Sequence, residues 1–210
     1  MRGGVGSGDT LEVRPRLVLA TNNAGKAREF RRLLAGSGFE LVTPREVGVD
    51  FAPEETGTSY AENASIKARA LALATGLIAL ADDSGIEVDA LGGGPGIYSA
   101  RYGGDELSDE GRTRRMLEEM ADVADERRTA RYRVVVAVAH PYGEVRLFEG
   151  VQEGRIGRQA RGERGFGYNP IFITAEGRTN AELDDSEKDA ISHRGVAMRA
   201  AAEHLRSISA

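Results

Sequence analysis

Between Leu77 and Gly85 the chain reads Leu-Ile-Ala-Leu-Ala-Asp-Asp-Ser-Gly. An apolar run of this length reads as a buried strand, and it leads straight into two adjacent carboxylates and a Ser-Gly pair. In open α/β sheets, ligands bind outside the carboxyl ends of strands. Two acids placed there would repel each other unless a cation or a proton relieved them. A hard ion such as Mg²⁺, arriving with a phosphate substrate, would supply that relief. The same residues also suit a strand that ends in a plain polar turn, since Asp, Ser and Gly are ordinary turn formers. The segment alone does not choose between the two.

The 210 residues suffice for one domain with a full core, and hydrophobic and charged fractions of 40% and 29% are those of a soluble globular chain. The net charge of −5 disfavours a nucleic-acid backbone as main partner, although local cationic loops can still bind a small anion. No cysteine is present, which excludes disulfides and thiolate metal sites and fits a cytoplasmic location. The longest apolar run, Ala68 to Ala81, is broken by Arg69, Thr75 and Gly76. It falls short of the roughly 18 residues a membrane span needs, so no membrane partner is expected. Residues 1–15 are Gly-rich at their start and read as a flexible tail before a single domain over 16–210.

Strand and helix patterns alternate along that domain. Arg16 to Ala20 reads as a strand, followed by a helix with Phe30, Leu33 and Leu34 on one face and a stop at Gly36. Glu40 to Thr43 is a second short strand, and Pro44 to Gly57 an acidic loop. Ser59 with Glu62 forms a capping box for a helix ending at Gly76. Leu77 to Ala81 and Ile86 to Leu91 read as separate strands on either side of the acidic turn. A helix is expected within Asp109 to Met120. Arg131 to His140 and Glu144 to Glu149 read as a hairpin around Pro141-Tyr142-Gly143. Gly154 to Gly167 is an Arg-rich loop, Ile171 to Thr174 a short strand, and Arg194 to Ser207 a closing helix with Ala197, Ala201 and Leu205 inward. The expected fold is α/β with a mixed sheet.

Several loops carry candidate chemistry. Thr21-Asn22-Asn23-Ala24-Gly25-Lys26 leaves a strand and opens a helix, which aims backbone N–H groups and the Lys26 charge at an anion. It lacks the spacing of a P-loop and equally suits a capped helix start. Glu54 and Glu55 precede the second helix, where Asn63 and Lys67 share a face four residues apart. Phe166-Gly167-Tyr168-Asn169-Pro170 could stack on a planar base or anchor the core. Arg155, Arg158, Arg161 and Arg164 form a basic run that suits a solvated loop. Lys188, Ser192, His193 and Arg194 cluster at the start of the last helix, where cations oppose the helix dipole.

Taken in order, these segments resemble the inosine triphosphatase family of pyrophosphatases that remove non-standard purine nucleoside triphosphates. The matching stretches are Leu19 to Lys26, Glu54 to Gly57, Glu62 to Ala64 with Lys67 to Arg69, Ala81 to Gly85, Gly94 to Tyr102, Gly165 to Tyr168 with Pro170 to Phe172, and Lys188 with Ala190 to Gly195. The resemblance extends from about Arg16 to Arg206. It implies an elongated, two-lobed mixed-sheet fold with a central cleft, a homodimer, and Mg²⁺-dependent hydrolysis of ITP, dITP, XTP and dXTP to the monophosphate and pyrophosphate. By the family pattern, Thr21, Asn22, Asn23, Ala24, Gly25 and Lys26 would hold the triphosphate. Asp83 would be the catalytic acid–base residue and, with Glu54, a metal ligand; Glu55 and Asp82 would support them. Lys67 and Ser84 would touch substrate, and Phe166, Gly167, Tyr168, Asn169, Lys188, His193 and Arg194 would surround base and sugar. Asn169 departs from the family, which usually has Asp there. Donors from Lys188, His193 or Arg194 would pair with the carbonyl at C6 of hypoxanthine and xanthine and repel the amino group of adenine. Two other readings compete: a nucleotide-binding sensor without catalysis, and a nucleic-acid module built on the arginine run.

Overall fold

The computed structural model describes residues 14–209. The expected tail therefore lies outside the described residues apart from Arg14 and Pro15. Eleven main elements follow in order: β1 (Arg16–Leu19), α1 (Ala24–Leu33), β2 (Glu40–Val42), α2 (Tyr60–Thr75), β3 (Ile78–Val88), α3 (Asp109–Glu119), β4 (Thr129–Ala139), β5 (Val145–Ile156), β6 (Phe172–Ile173), α4 (Asp185–Ile191) and α5 (His193–Ser209). The strands form one mixed sheet in the order β2-β1-β3-β4-β5-β6, as the alternation of patterns implied. β2, β1 and β3 run parallel, and β3 to β6 are antiparallel neighbours.

The sheet divides the interior by the two-residue period of its strands. Leu17, Leu19, Leu80, Val134, Val136 and Val138 face α1 and α5, packing on Phe30, Leu34, Ala197, Met198, Ala201 and Leu205. Val18, Ala79, Ala81, Val135 and Ala137 face the opposite way, onto Ala64, Ala68, Leu71 and Ala72 of α2. A third cluster lies at the other end of β3 and β4. There Ile86, Val88, Ala130 and Tyr132 pack with Met116 and Met120 of the α3 segment and with Ile156, Ile171 and Phe172. Two lobes result, joined by the long strands β3 and β4.

Asp82-Asp83-Ser84-Gly85 is not a turn between two strands; β3 runs unbroken from Ile78 to Val88. The reason is tertiary. β4 pairs with the whole segment, placing Asp82 opposite Val136, Asp83 opposite Val135, Ser84 opposite Val134 and Gly85 opposite Arg133. This partner ladder outweighs the turn preference of the four residues. On the other side, β1 stops at Leu19, paired with Leu80. The acids therefore sit beyond the carboxyl end of β1, not of β3. Gly85 has its own purpose, since a Cβ there would collide with the Gly96 carbonyl of the crossing 96–101 turn.

Smaller differences have local causes. β5 continues to Ile156, past the expected end at Glu149, because β4 remains available as a partner down to Thr129. Ser59 caps α2 by accepting from Glu62 N, but the Glu62 carboxylate accepts from Thr58 N and Oγ1. The full capping box occurs instead at α4, where Asp184 and Glu187 satisfy each other's backbone N–H groups. α4 was not among the elements expected from the sequence.

Candidate active site

Strand alternation sends the two adjacent acids to opposite faces of β3. Their closest partners differ, so the expected mutual repulsion is not what governs them. Asp83 points to the α2 side. Its Oδ2 accepts from Asn63 Nδ2 at 3.2 Å, and Lys67 Nζ lies 3.6 Å from its Oδ1. Lys67 donates more closely to Glu55 Oε1, at 2.7 Å. Burial pushes the Asp83 carboxyl above its ordinary range, and Lys67 and Asn63 only partly offset it. Burial also works against the Lys67 ammonium, but Asp82, Asp83 and Glu55 outweigh it and keep the charge secure. The result is a carboxylate that accepts a proton readily beside a permanent cation.

Asp82 and Ser84 point the other way, toward α1 and α5. Lys26 Nζ lies 3.0 Å from both Asp82 oxygens, and Arg194 Nη2 donates to Asp82 Oδ2 at 3.1 Å and to Ser84 Oγ at 3.0 Å. Burial opposes the Asp82 charge, yet Lys26, Arg194 and Lys67 together hold its carboxyl well below the usual range. Lys26 is shifted down by burial despite Asp82. Glu29 of α1 completes the network. It accepts from Lys188 Nζ, and from Arg194 Nη1 at 2.6 Å, and these two cations keep it ionised against its burial. Lys188 sits in the last turn of α4, where the helix dipole favours a cation. The expected cost of a lysine at a helix start does not arise for it.

A cavity of about 270 Å³ opens on this second face, between the lobes. Lys26, Ser84, Phe166 to Asn169, Lys188, His193 and Arg194 all line it, as does Asn23. His193 stacks on Tyr132 with ring centroids 4.7 Å apart, and its Nδ1 is buried without a partner. Burial, reinforced by Arg194, lowers its pKa far below normal, so the imidazole is neutral. Phe166 lies under the cations, 5.7 Å from Lys188 Nζ and 5.8 Å from the Arg194 guanidinium carbon. A Cβ on Gly25 would fall 2.8 Å from the Phe166 ring, so only glycine lets α1 start beneath it. Tyr168 is a core anchor as much as a wall: it is 5% exposed and donates to Ser99 O at 2.8 Å. Asn169 is equally buried and accepts from the Tyr132 hydroxyl at 3.4 Å.

The remaining candidates sit around this core. Asn23 caps α1 by accepting from Lys26 N, Thr21 Oγ1 accepts from Asn23 N, and Asn22 ties the loop to Phe51 O. Ala24 is exposed at the helix start. Glu54 is exposed on the loop before α2, and its neighbour Glu55 makes the contact with Lys67. Among the described residues no three His, Asp or Glu side chains gather into a metal cage. Oxygen donors without thiolate or imidazole suit a hard cation held by one or two carboxylates plus phosphate oxygens. Three of the four arginines in the 155–164 run are engaged by neighbouring groups. Arg158 is held by Asp125 and the Ala121 and Val123 carbonyls, Arg161 by Gly177 O and Arg164 by Glu182 O.

Four contributors went unread in the sequence: Glu29, Tyr132, and Asp109 and Arg112 on α3. One compositional signal points at part of the site. The chain has three lysines among its 28 Lys and Arg residues, namely Lys26, Lys67 and Lys188, and each is paired with a carboxylate here.

The model of the Ham1 family matches residues 17–204. A dITP/XTP pyrophosphatase of Symbiobacterium thermophilum is 56% identical over 196 residues, covering 92% of this chain and 96% of the relative. The dITP/XTP pyrophosphatase of Shigella flexneri is 49% identical, with 91% and 98% covered. Among solved structures, a HAM1 protein from Coxiella burnetii superposes with a TM-score of 0.83 at 41% identity, covering 92% of this chain and 99% of its own. The Staphylococcus aureus Ham1 protein gives 0.82 at 37% identity, with the same shares covered. The resemblance read from seven sequence segments and the layout of the site meet in one assignment: this chain belongs to the Ham1 family.

Proposed function

We propose that this protein hydrolyses non-standard purine nucleoside triphosphates, dITP and XTP among them, to the monophosphate and pyrophosphate. The observation that carries the reading is the division of labour across β3. A proton-accepting carboxylate lies on one face, and a cationic, aromatic-lined cavity of nucleoside size lies on the other. Relatives named dITP/XTP pyrophosphatase, at 56% and 49% identity, support it.

In this reading Asp83 takes a proton from a water that attacks the α-phosphorus. An O–P bond forms, and the bond from the α-phosphorus to the bridging oxygen breaks, releasing pyrophosphate. Burial raises the proton affinity of Asp83, which fits a general base. Lys67 orients the Asp83 carboxylate and offers its charge to the phosphates. The Thr21 to Lys26 segment presents a capped helix start and the Lys26 ammonium to the same anion. We further propose that Asp83 and Glu54 would hold Mg²⁺, which would supply neutralisation of negative charge on the pyrophosphate leaving group. A homodimer and a cytoplasmic location belong to the same proposal. Among the described residues no helix is long and apolar enough to cross a membrane.

The deciding assay measures pyrophosphate against inorganic phosphate from ITP, dITP, XTP, ATP and GTP. Pyrophosphate from the first three, far faster than from the last two, is the expected result. Stepwise phosphate release or equal turnover of ATP overturns the assignment, and binding without turnover favours a sensor. Glu54→Gln should raise the Mg²⁺ concentration needed for half-maximal rate; an unchanged metal titration removes Glu54 from the ligand set.

A further inference from the structure

Building on the proposed pyrophosphatase activity, we infer that Arg112 is a specificity-determining residue that donates a hydrogen bond to the carbonyl at C2 of a bound xanthine. It acts from the lobe opposite Lys188, His193 and Arg194. Arg112 belongs to α3 and lines the same cavity. Its side chain is only 11% exposed.

The Arg112 guanidinium is incompletely used. Lys26 is matched by buried Asp82, Lys188 by buried Glu29, and Arg194 by both. Among the described residues of the cavity, Arg112 is the cation without a buried carboxylate. Its nearest acid, Asp109, is 3.7 Å away with a side chain 56% exposed. Its Nη2 reaches the Gly104 and Asp105 carbonyls at 3.4 Å, and its Nε is buried with no partner. A guanidinium offers five donors in a fixed fork, and a buried donor left unpaired carries its full desolvation cost. An acceptor on the ligand would remove that cost.

Location decides which acceptor. Asp109 Oδ2 accepts from Gly167 N at 2.8 Å, which ties α3 to the aromatic loop. The charge of Arg112 reaches the Tyr168 phenol, where it opposes the upward push of burial. Arg112 thus stands at the nucleoside end, whereas Asp83 and Lys67 lie across β3 and Lys26 lies at the start of α1. The purines differ there by chemistry. Xanthine has carbonyls at C2 and C6, hypoxanthine has a C–H at C2, and guanine has an amino group at C2. With Lys188, His193 and Arg194 serving the C6 side, a donor from the facing lobe favours xanthine, is neutral to hypoxanthine and opposes guanine. Arg112 therefore supplies a physical route to guanine exclusion.

The test is steady-state pyrophosphate release from XTP, ITP and GTP by wild type, Arg112→Met and Arg112→Lys, with thermal unfolding as a check on folding. Arg112→Met should lower kcat/KM for XTP by about 10-fold, chiefly through KM, as loss of one charged hydrogen bond implies. ITP should lose less, and GTP should lose nothing or gain. Arg112→Lys should recover part of the XTP loss. An equal loss on all three substrates marks a sugar or phosphate contact and overturns the inference, as does no change. Calorimetric binding of XMP, IMP and GMP reads the same ranking without turnover. Failure of the pyrophosphatase reading is thereby separated from failure of this one. If Arg112→Met does not fold, the Arg112→Lys ranking decides.

Discussion

Asp82 and Asp83 are adjacent, chemically identical and both almost fully buried, yet the two faces of β3 treat them in opposite ways. On the α1/α5 face Asp82 meets Lys26 and Arg194 and is held ionised. On the α2 face Asp83 meets an amide and a lysine already engaged by Glu55, so burial prevails and its proton affinity rises. One acid is a counter-ion to two cations, and the other is the reagent of the proposed reaction. Residue type and sequence neighbourhood cannot separate them; the face of the strand does.

The sharpest way to break this comparison is to neutralise each acid in turn. Asp83→Asn should lower kcat by on the order of 10²–10⁴, the usual worth of a general acid–base group. Its fold should be retained or slightly stabilised, because the ionised form of Asp83 is disfavoured by burial and not supported by a tight ion pair. Near-normal turnover would remove Asp83 from the chemistry. Asp82→Asn should do the reverse in character. It leaves Lys26 and Arg194 buried with one carboxylate fewer, a change that costs about 3 kcal/mol in comparable networks. Urea unfolding with an unchanged slope would measure it. A fully stable Asp82→Asn protein would show that Glu29 alone satisfies the cations.

pH sharpens the contrast, with metal chelated throughout. Asp82 has a depressed folded-state pKa, so its contribution is present above its unfolded value of about 3.9 and is lost as pH falls below that toward the folded value. Asp83 has a raised one, so the folded protein binds the extra proton, and stability declines as pH rises from about 3.9 through the folded pKa. Subtracting each Asn variant's stability curve from wild type should therefore give differences of opposite slope. Parallel curves would contradict the two-face account.

The smallest effect is expected at Asn169, where the resemblance read from the sequence leads one to expect Asp. An amide both donates and accepts, while a carboxylate only accepts. Asn169→Asp should shift base preference by about 1–2 kcal/mol, the scale of one neutral hydrogen bond, and move KM more than kcat. Kinetics on ITP, XTP and GTP for both forms checks this. A dead wild type revived by Asn169→Asp would make the position catalytic.

Local order was legible in the chain because its causes are local. Asn23 before α1, Ser59 before α2 and Gly76 after it mark helix ends through bonds that span four residues or fewer. The lysines at the site were legible by type, since a compact ammonium is scarce in a chain that otherwise uses arginine. Glu29 was not legible, because its partners Lys188 and Arg194 lie 159 and 165 positions away. In the helix pattern it reads as one more charged residue beside Phe30.

By itself the sequence determined the alternation of strands and helices, the N-terminal caps of α1 and α2, the family, and many of the side chains gathered at the candidate site. Each follows from neighbouring residues or from motifs in register. Tertiary structure alone decided that Asp82 to Gly85 is strand and not turn, and so which face each acid takes. The physical reason is that a strand's hydrogen bonds are made by a partner. β4, some fifty residues downstream, keeps β3 extended through residues that would turn if left to themselves.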